Sequence, residues 1–364
     1  MKQFTIIIAI LSLFLGGCLG AAQNSSVAAI PLTGQTREGG AVPVMTSTVE
    51  PTRLPTETPT ITPTATPLPN PMSIAAMRAG EYPGSDIVIV QELAVGSNYR
   101  RYYAYYMSEG LKIYALLTVP NGEKPAGGWP AIVFNHGYIP PQVYVTTERY
   151  IAYVNRLATA GYIVFRIDYR GHDRSEGSAT GAYSSPGYTV DVLNAVSSLQ
   201  RFPDANPDKI GMWGHSMGGY LTLRSMVISK DIKAGVIWGG VVGSYSDMLY
   251  NWRRGGVVAS PDSRRGGWRG GWMSQYGTPD ENPEFWNSVS ANAYLRDLSG
   301  PIQLQHSVTD EDVPVEFSEI LAEQIQAVGG TVKLYTYEGD DHDITRNFTR
   351  AMDRTVAFYD VYLK

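Results

Sequence analysis

One cysteine, Cys18, occurs among 364 residues. A single thiol closes no intrachain disulfide, so a compact domain in this chain must rest on its apolar core. Charge is sparse as well. Asp, Glu, Lys and Arg make up 17% of the residues and sum to −5 with histidine neutral. That balance gives no electrostatic basis for gripping a phosphate backbone, and nucleic acid is not expected as a partner. The N-terminal apolar run, Phe4 to Leu15, falls short of the ~20 residues that a membrane-spanning helix needs. Histidine is scarce too. Only His136, His172, His215, His306 and His342 are present, so few side chains can serve as a base near neutral pH.

What is there is an ordinary globular share of apolar residues, 43%, enough for one α/β domain in the last ~290 residues. The N-terminus has the form of an export segment: Lys2, the apolar run, then Leu15-Gly16-Gly17-Cys18. That box resembles the bacterial lipoprotein cleavage site, where the cut falls before the cysteine that carries the lipid. The expectation is a signal peptide over 1–17, a lipid anchor at Cys18 and an extracytoplasmic protein held to the membrane. Residues 18–71 show no helical or strand period. Pro51, Pro55, Pro59, Pro63 and Pro67 recur every fourth residue among threonines. Proline fixes φ and removes a donor, so this stretch is expected as an extended tether, similar in composition to glycosylated stalks.

From Met72 the pattern changes. Apolar runs at 87–95, 101–107 and 112–119 read as strands, the last two as a hairpin across Ser108-Glu109-Gly110. Buried-type strands follow at 131–134, 162–168, 209–213, 234–238, 302–306 and 331–337, with helices expected at 144–160, 188–200, 315–328 and 346–362. Strands alternating with helices predict a mostly parallel twisted sheet with helices on both faces and an antiparallel N-terminal edge: an α/β fold. The strand at 209–213 runs into Gly214-His215-Ser216-Met217-Gly218-Gly219 and then a helix-like run. Strand, sharp glycine-flanked turn and helix form the context in which G-x-S-x-G presents a nucleophilic serine at a sheet's carboxyl edge. The Met217 N–H, opening the next helix, can face a developing oxyanion, and the Tyr138 N–H, after His136-Gly137, is the candidate second donor.

A serine hydroxyl needs a base, and the base needs an acid to hold its tautomer. His342 lies in a loop after the last strand, where a base can reach the serine; His215, beside Ser216, is expected to aim elsewhere. The loop after strand 302–306 offers Asp310, with Asp312 as the fallback. Carboxylates around His342 also permit a metal reading, but no ligand spacing is diagnostic, and neither metal nor cofactor is expected. Between strands 234–238 and 302–306 lies a long segment, 244–299, rich in Gly, Arg and Trp. It is expected as a lid-like insertion that shapes the substrate pocket, with Arg253 and Arg254 for an anionic group and Trp252 and Trp268 for an apolar one; plain surface structure is the first alternative, and an RGG-like nucleic-acid contact ranks last given the acidic total.

From about Leu111 onward the chain resembles the α/β-hydrolase superfamily and, within it, the catalytic domain of the prolyl oligopeptidase family of serine peptidases. The matching pieces are His136-Gly137, Asp168-Tyr169-Arg170-Gly171, Gly214 to Gly219, Gly277-Thr278-Pro279, Asp310 with Val313-Pro314, and Gly339 with His342. The resemblance implies Ser216 as nucleophile, Asp310 as orienting acid, His342 as base, and Tyr138 and Met217 at the oxyanion positions. Asp173 and Ser307 stand where relatives usually have glycine. Single-domain esterases share the same motifs. The expected activity is therefore acyl transfer from a small ester, with a short peptide as the alternative substrate. A non-catalytic binding lipoprotein on the same fold is the alternative from another class.

Overall fold

The computed structural model describes residues 70–254, 257–258 and 267–364. The export segment, Cys18 and the Thr/Pro tether lie outside these residues. A short helix α1 (Ile74–Arg78) precedes β1 (Val88–Leu93), β2 (Tyr99–Ser108) and β3 (Leu111–Pro120). Glu109 and Gly110 join β2 to β3 with φ of 49° and 79°, the two left-handed residues of a tight hairpin whose twist suits the strands. Then come β4 (Trp129–Asn135), α2 (Ile151–Thr159), β5 (Ile163–Ile167), α3 (Gly187–Arg201), β6 (Ala205–His215), α4 (Met217–Ile228) and β7 (Ile232–Trp238). Helix α5 (Tyr245–Tyr250) follows, and Arg253–Arg254 pairs with Val257–Val258 as the small strands β8 and β9. The chain closes with α6 (Gly267–Tyr276), α7 (Pro283–Val289), β10 (Ile302–Ser307), α8 (Glu316–Ala327), β11 (Val332–Tyr337) and α9 (Phe348–Leu363).

Nine strands form one sheet in the order β1-β2-β3-β5-β4-β6-β7-β10-β11. The first three pairings are antiparallel and the rest parallel, as expected. Strand β4 reads Trp-Pro-Ala-Ile-Val-Phe-Asn and is buried along nearly its whole length, because both of its faces are covered. Alternate residues go to opposite cores. Val133 packs with Val192 of α3 and with Leu221 and Leu223 of α4. Ile132 and Phe134 pack with Val154, Trp213, Trp238 and Phe358 under α2 and α9. The parallel strands all end at one sheet edge, where loops carrying Gly137, Ser216, Asp310 and His342 meet.

Two expectations need correcting. The helix expected over 144–160 begins only at Ile151. Fully buried Arg166 takes the carbonyls of Thr146, Glu148 and Arg149 with its guanidinium. Those carbonyls therefore turn toward Arg166 rather than along a helix, and Arg149 and Tyr150 both hold φ near +50°. The segment 244–299 is, in its described part, mostly helical rather than loop. A Ser244–Asp247 capping box opens α5, and Asn282 caps α7 with Pro283 at its first position. Glycines 267, 270 and 271 hide α6 from a propensity reading, and aromatic packing overrides them. Trp272 lies flat on Tyr245, 5.6 Å between centroids, and Trp286 is buried.

Candidate active site

Ser216 sits alone between the end of β6 and the start of α4, at φ 54° and ψ −117°. A side chain rarely holds such a conformation, which costs ~1–3 kcal/mol and persists only where neighbours enforce it. Here the Ser216 N–H donates to the Trp238 carbonyl at 3.0 Å, and its own carbonyl accepts from Gly219 and Val241. The turn also needs its glycine by contact: a Cβ on Gly218 would meet the Asn135 carbonyl oxygen at 2.0 Å. The Met217 N–H opens α4, with no carbonyl one turn back inside the helix to take it.

The loop after β10 folds on one carboxylate. Asp310 has no side-chain exposure, and its Oδ1 accepts the backbone N–H groups of Asp312 and Val313, each at 2.9 Å. Its Oδ2 lies 2.7 Å from His342 Nδ1 and 3.1 Å from His306 Nε2. Burial alone would push this carboxyl up. The hydrogen bonds and charges of the two histidines outweigh it and hold Asp310 well below the usual carboxylate range. The same contact acts on His342. Burial pulls the imidazole down, but the Asp310 hydrogen bond and the negative charges of Asp310, Asp312 and Asp343 leave it above its ordinary value. With Nδ1 held by Asp310, Nε2 is the nitrogen left to work. Asp312 is exposed and serves Asp310 only through its backbone, so of the two candidate acids Asp310 is the one brought to His342. Gly239 makes room: a Cβ there would stand 3.0 Å from His342 Nδ1.

Residues 149–364 match the family model described as Prolyl oligopeptidase family (Peptidase_S9). The chain belongs to the prolyl oligopeptidase family. It is a serine hydrolase with the α/β-hydrolase fold. The peptidase YtmA of Bacillus subtilis, itself called uncharacterized, is 26% identical over 246 residues, 67% of this chain and 86% of that protein. Human dipeptidyl peptidase 8 is 26% identical over 254 residues, 66% of this chain but only 26% of that protein. Among solved structures, Pyrococcus horikoshii acylaminoacyl peptidase superposes with a TM-score of 0.59 at 22% identity, over 74% of this chain and 42% of that one. Acetyl xylan esterase from Paenibacillus sp. R4 gives 0.59 at 16% identity, over 80% and 92%. At those identities the likeness speaks for the fold.

Several residues of this hydrolase differ from the sequence expectation. The sequence places His306 only at the end of a strand, yet its Nε2 lies on Asp310 and on the Val313 carbonyl, and its Nδ1 lies 2.7 Å from Ser318 Oγ. A histidine four residues before the acid was the available signal. His215 aims away from Ser216, as expected, and toward the loop of the base. Its ring lies 4.5 Å from the His342 ring, and its Nε2 is 3.1 Å from the His342 carbonyl. Burial, then the neighbouring His342 charge, lowers it to about 3, so it is neutral: Nε2–H donates to His342 and Nδ1 accepts from Tyr150 O–H at 2.7 Å. The Tyr150 oxygen in turn accepts the Gly137 N–H at 3.0 Å. One hydrogen-bonded chain thus ties the Gly137 turn, the elbow and the His342 loop together.

The remaining candidates are placed as follows. Tyr138 follows Gly137 with its side chain 67% exposed. Trp252 is a core residue rather than a pocket face: it is 7% exposed, and its Nε1 donates to the Asp312 carbonyl at 2.8 Å. Trp268 packs half-buried beside Tyr183 and Tyr245. Arg253 and Arg254 have backbones in β8; their side chains lie outside the described residues. Asp173, in a glycine position of the relatives, carries φ 47°, which explains why glycine suits it. Ser307 uses its hydroxyl to hold the Asp340 carbonyl at 2.6 Å.

Proposed function

We propose that this chain cleaves a carboxylic ester through an acyl-enzyme, with Ser216 as nucleophile, His342 as base and Asp310 as the acid that holds it. The observation that carries this reading is the 2.7 Å contact between buried Asp310 and His342 Nδ1, in a loop tied by His215 to the elbow of Ser216. In the reaction, His342 Nε2 takes the Ser216 Oγ proton as the oxygen attacks the carbonyl carbon. Negative charge builds on the carbonyl oxygen, where the N–H groups of Met217 and Tyr138 receive it; loss of one such donor typically costs on the order of a hundredfold or more in rate. His342 then gives its proton to the departing oxygen. Water, activated by the same nitrogen, releases the acid. Asp310 stays ionised throughout, which its depressed pKa favours. An alkoxide leaves more readily than an amine, which supports the ester.

A second reading, a serine peptidase, is favoured by the sequence relatives, which are named as peptidases. It uses the same residues and asks His342 to protonate a leaving nitrogen. Stoichiometric labelling of Ser216 by a fluorophosphonate tests both readings against a protein that only binds.

A further inference from the structure

A cleft of about 740 Å³ opens next to these groups. Tyr138, Tyr150, Tyr153 and Phe348 give it aromatic walls, and Arg149 and Asp343 give it charge. It starts one residue from each partner of Ser216. Tyr138 follows Gly137, where a Cβ would stand 3.2 Å from the Ser216 Cβ, and Asp343 follows His342. The departing atom of the substrate receives its proton from His342, so the leaving group passes along this side of the site. A second hollow of about 470 Å³ borders His342 itself, but it lies over the Asp310 loop and is lined by Glu311, Asp312, Asp340 and Asp341 against a single basic side chain, Arg346. Four carboxylates make it a poor exit for an anion.

The charges of the first cleft are arranged with purpose. Arg149 is exposed and, among the described residues, its guanidinium has neither a hydrogen-bond nor an ion-pair partner. Its backbone is held at φ 54°, and that of Tyr150 at φ 50°, by the buried Arg166 beneath them. Two consecutive left-handed residues without glycine are costly, and such strain collects where a side chain must be aimed. Asp343 does not pair with Arg149; its Oδ1 lies 3.5 Å from His215 Nε2. The cleft is therefore negative beside His342 and positive on the loop that carries Arg149.

We propose that this cleft receives the leaving group and that Arg149 selects leaving groups bearing a carboxylate away from the scissile bond. The aromatic walls take its apolar body. Asp343, beside His342, suits a departing amine as well as an alcohol, so the carboxylate belongs either to a hydroxyaryl acid released from an ester or to a C-terminal amino acid released from a peptide. In both cases the carbonyl–heteroatom bond breaks, the proton from His342 goes to the departing oxygen or nitrogen, and the acyl group stays on Ser216. This inference rests on the triad reading above.

The test is a ratio measured within one enzyme. In the ester arm, kcat/KM is compared for the acetyl esters of 4-hydroxyphenylacetic acid and 4-hydroxyphenylacetamide. In the peptide arm, acetyl-alanyl-phenylalanine is compared with its C-terminal amide. Wild type should favour the carboxylate member by about fivefold in at least one arm, the worth of an exposed ion pair, and the preference should shrink in 1 M salt. The arm that shows it identifies the source. Arg149→Met should bring the ratio to about one, Arg149→Lys should keep part of it, and circular dichroism and Tm establish that both variants fold. A wild-type ratio near one in both arms, with Ser216-dependent turnover intact, overturns the inference alone. A preference that survives Arg149→Met does so too. Absence of all turnover and of fluorophosphonate labelling instead sinks the triad reading, and this inference with it.

Discussion

Replacing Asp168 by asparagine should remove part of the pH dependence of folding stability. Asp168 lies just past β5, fully buried. Its Oδ1 accepts from Tyr144 O–H at 2.8 Å, and its Oδ2 is 2.5 Å from Thr146 Oγ1, which is itself 2.6 Å from Asp173 Oδ2. One hydroxyl proton cannot satisfy two carboxylates. If Asp168 keeps its proton, it donates to Thr146, and Thr146 donates to Asp173. The electrostatics agree: burial lifts Asp168 to about 8, against the opposing pull of its Thr146 and Tyr144 hydrogen bonds and nearby Arg166. Its ordinary value is 3.8. Between those two pH values the unfolded chain gives up a proton that the folded one retains. Stability is then present in full below the unfolded value and falls by ~1.4 kcal/mol per pH unit as pH rises toward the folded value. Asparagine mimics the protonated acid by offering an N–H to Thr146 and a carbonyl oxygen to Tyr144, and it does not titrate. From pH 5 to pH 8 the Asp168→Asn variant should gain about 4 kcal/mol on the wild type. Urea unfolding of both proteins at four pH values reads this difference, in which all other titrations cancel. A difference that stays flat from pH 5 to pH 8 would show Asp168 ionised in the fold and refute the argument.

The two aspartates of the β10 loop should separate cleanly. Asp310→Asn can keep an oxygen for the backbone N–H groups of Asp312 and Val313 but then sets an NH2 donor against His342 Nδ1, and should cut kcat by about three to four orders of magnitude; Asp312→Asn should cost less than tenfold, because only its backbone contacts Asp310. An ester and an anilide bearing the same acyl group should differ in kcat/KM by at least about a hundredfold in favour of the ester, with Ser216→Ala as the blank, since the alkoxide is the better leaving group; a ratio near one makes the peptidase reading the better one. Cys18→Ser should release the protein from the membrane fraction, and an unmodified Cys18 at the mature N-terminus by mass spectrometry would remove the lipid anchor from the account.

The features that left local marks in the sequence were the legible ones. The elbow was readable because a strand, two glycines around a serine and a helix are contiguous. The β2–β3 hairpin was readable because Glu109-Gly110 is a turn by composition. Alternation of strands and helices gave the sheet. What escaped depends on contacts between distant residues. The late start of α2 follows from Arg166 on a neighbouring strand drawing in three carbonyls of the preceding loop. Helix α6 exists despite its glycines because Trp268 and Trp272 find Tyr245. Contacts with Tyr183, Phe317 and the Asp312 carbonyl make Trp252 a core residue rather than a pocket one. His306 is marked in the sequence only by its four-residue spacing from Asp310, and His215 carries no mark that sets it apart from other histidines; each is defined by the atom it faces across the sheet edge.

The measurement that bears most directly on the account is the mass of the intact protein after treatment with a fluorophosphonate, followed by peptide mapping. The account predicts one adduct per chain, located on Ser216. It also predicts that labelling is abolished in Ser216→Ala and slowed at least a hundredfold in His342→Ala, with both variants folded. Equal labelling of wild type and His342→Ala, or an adduct on another serine, would contradict it.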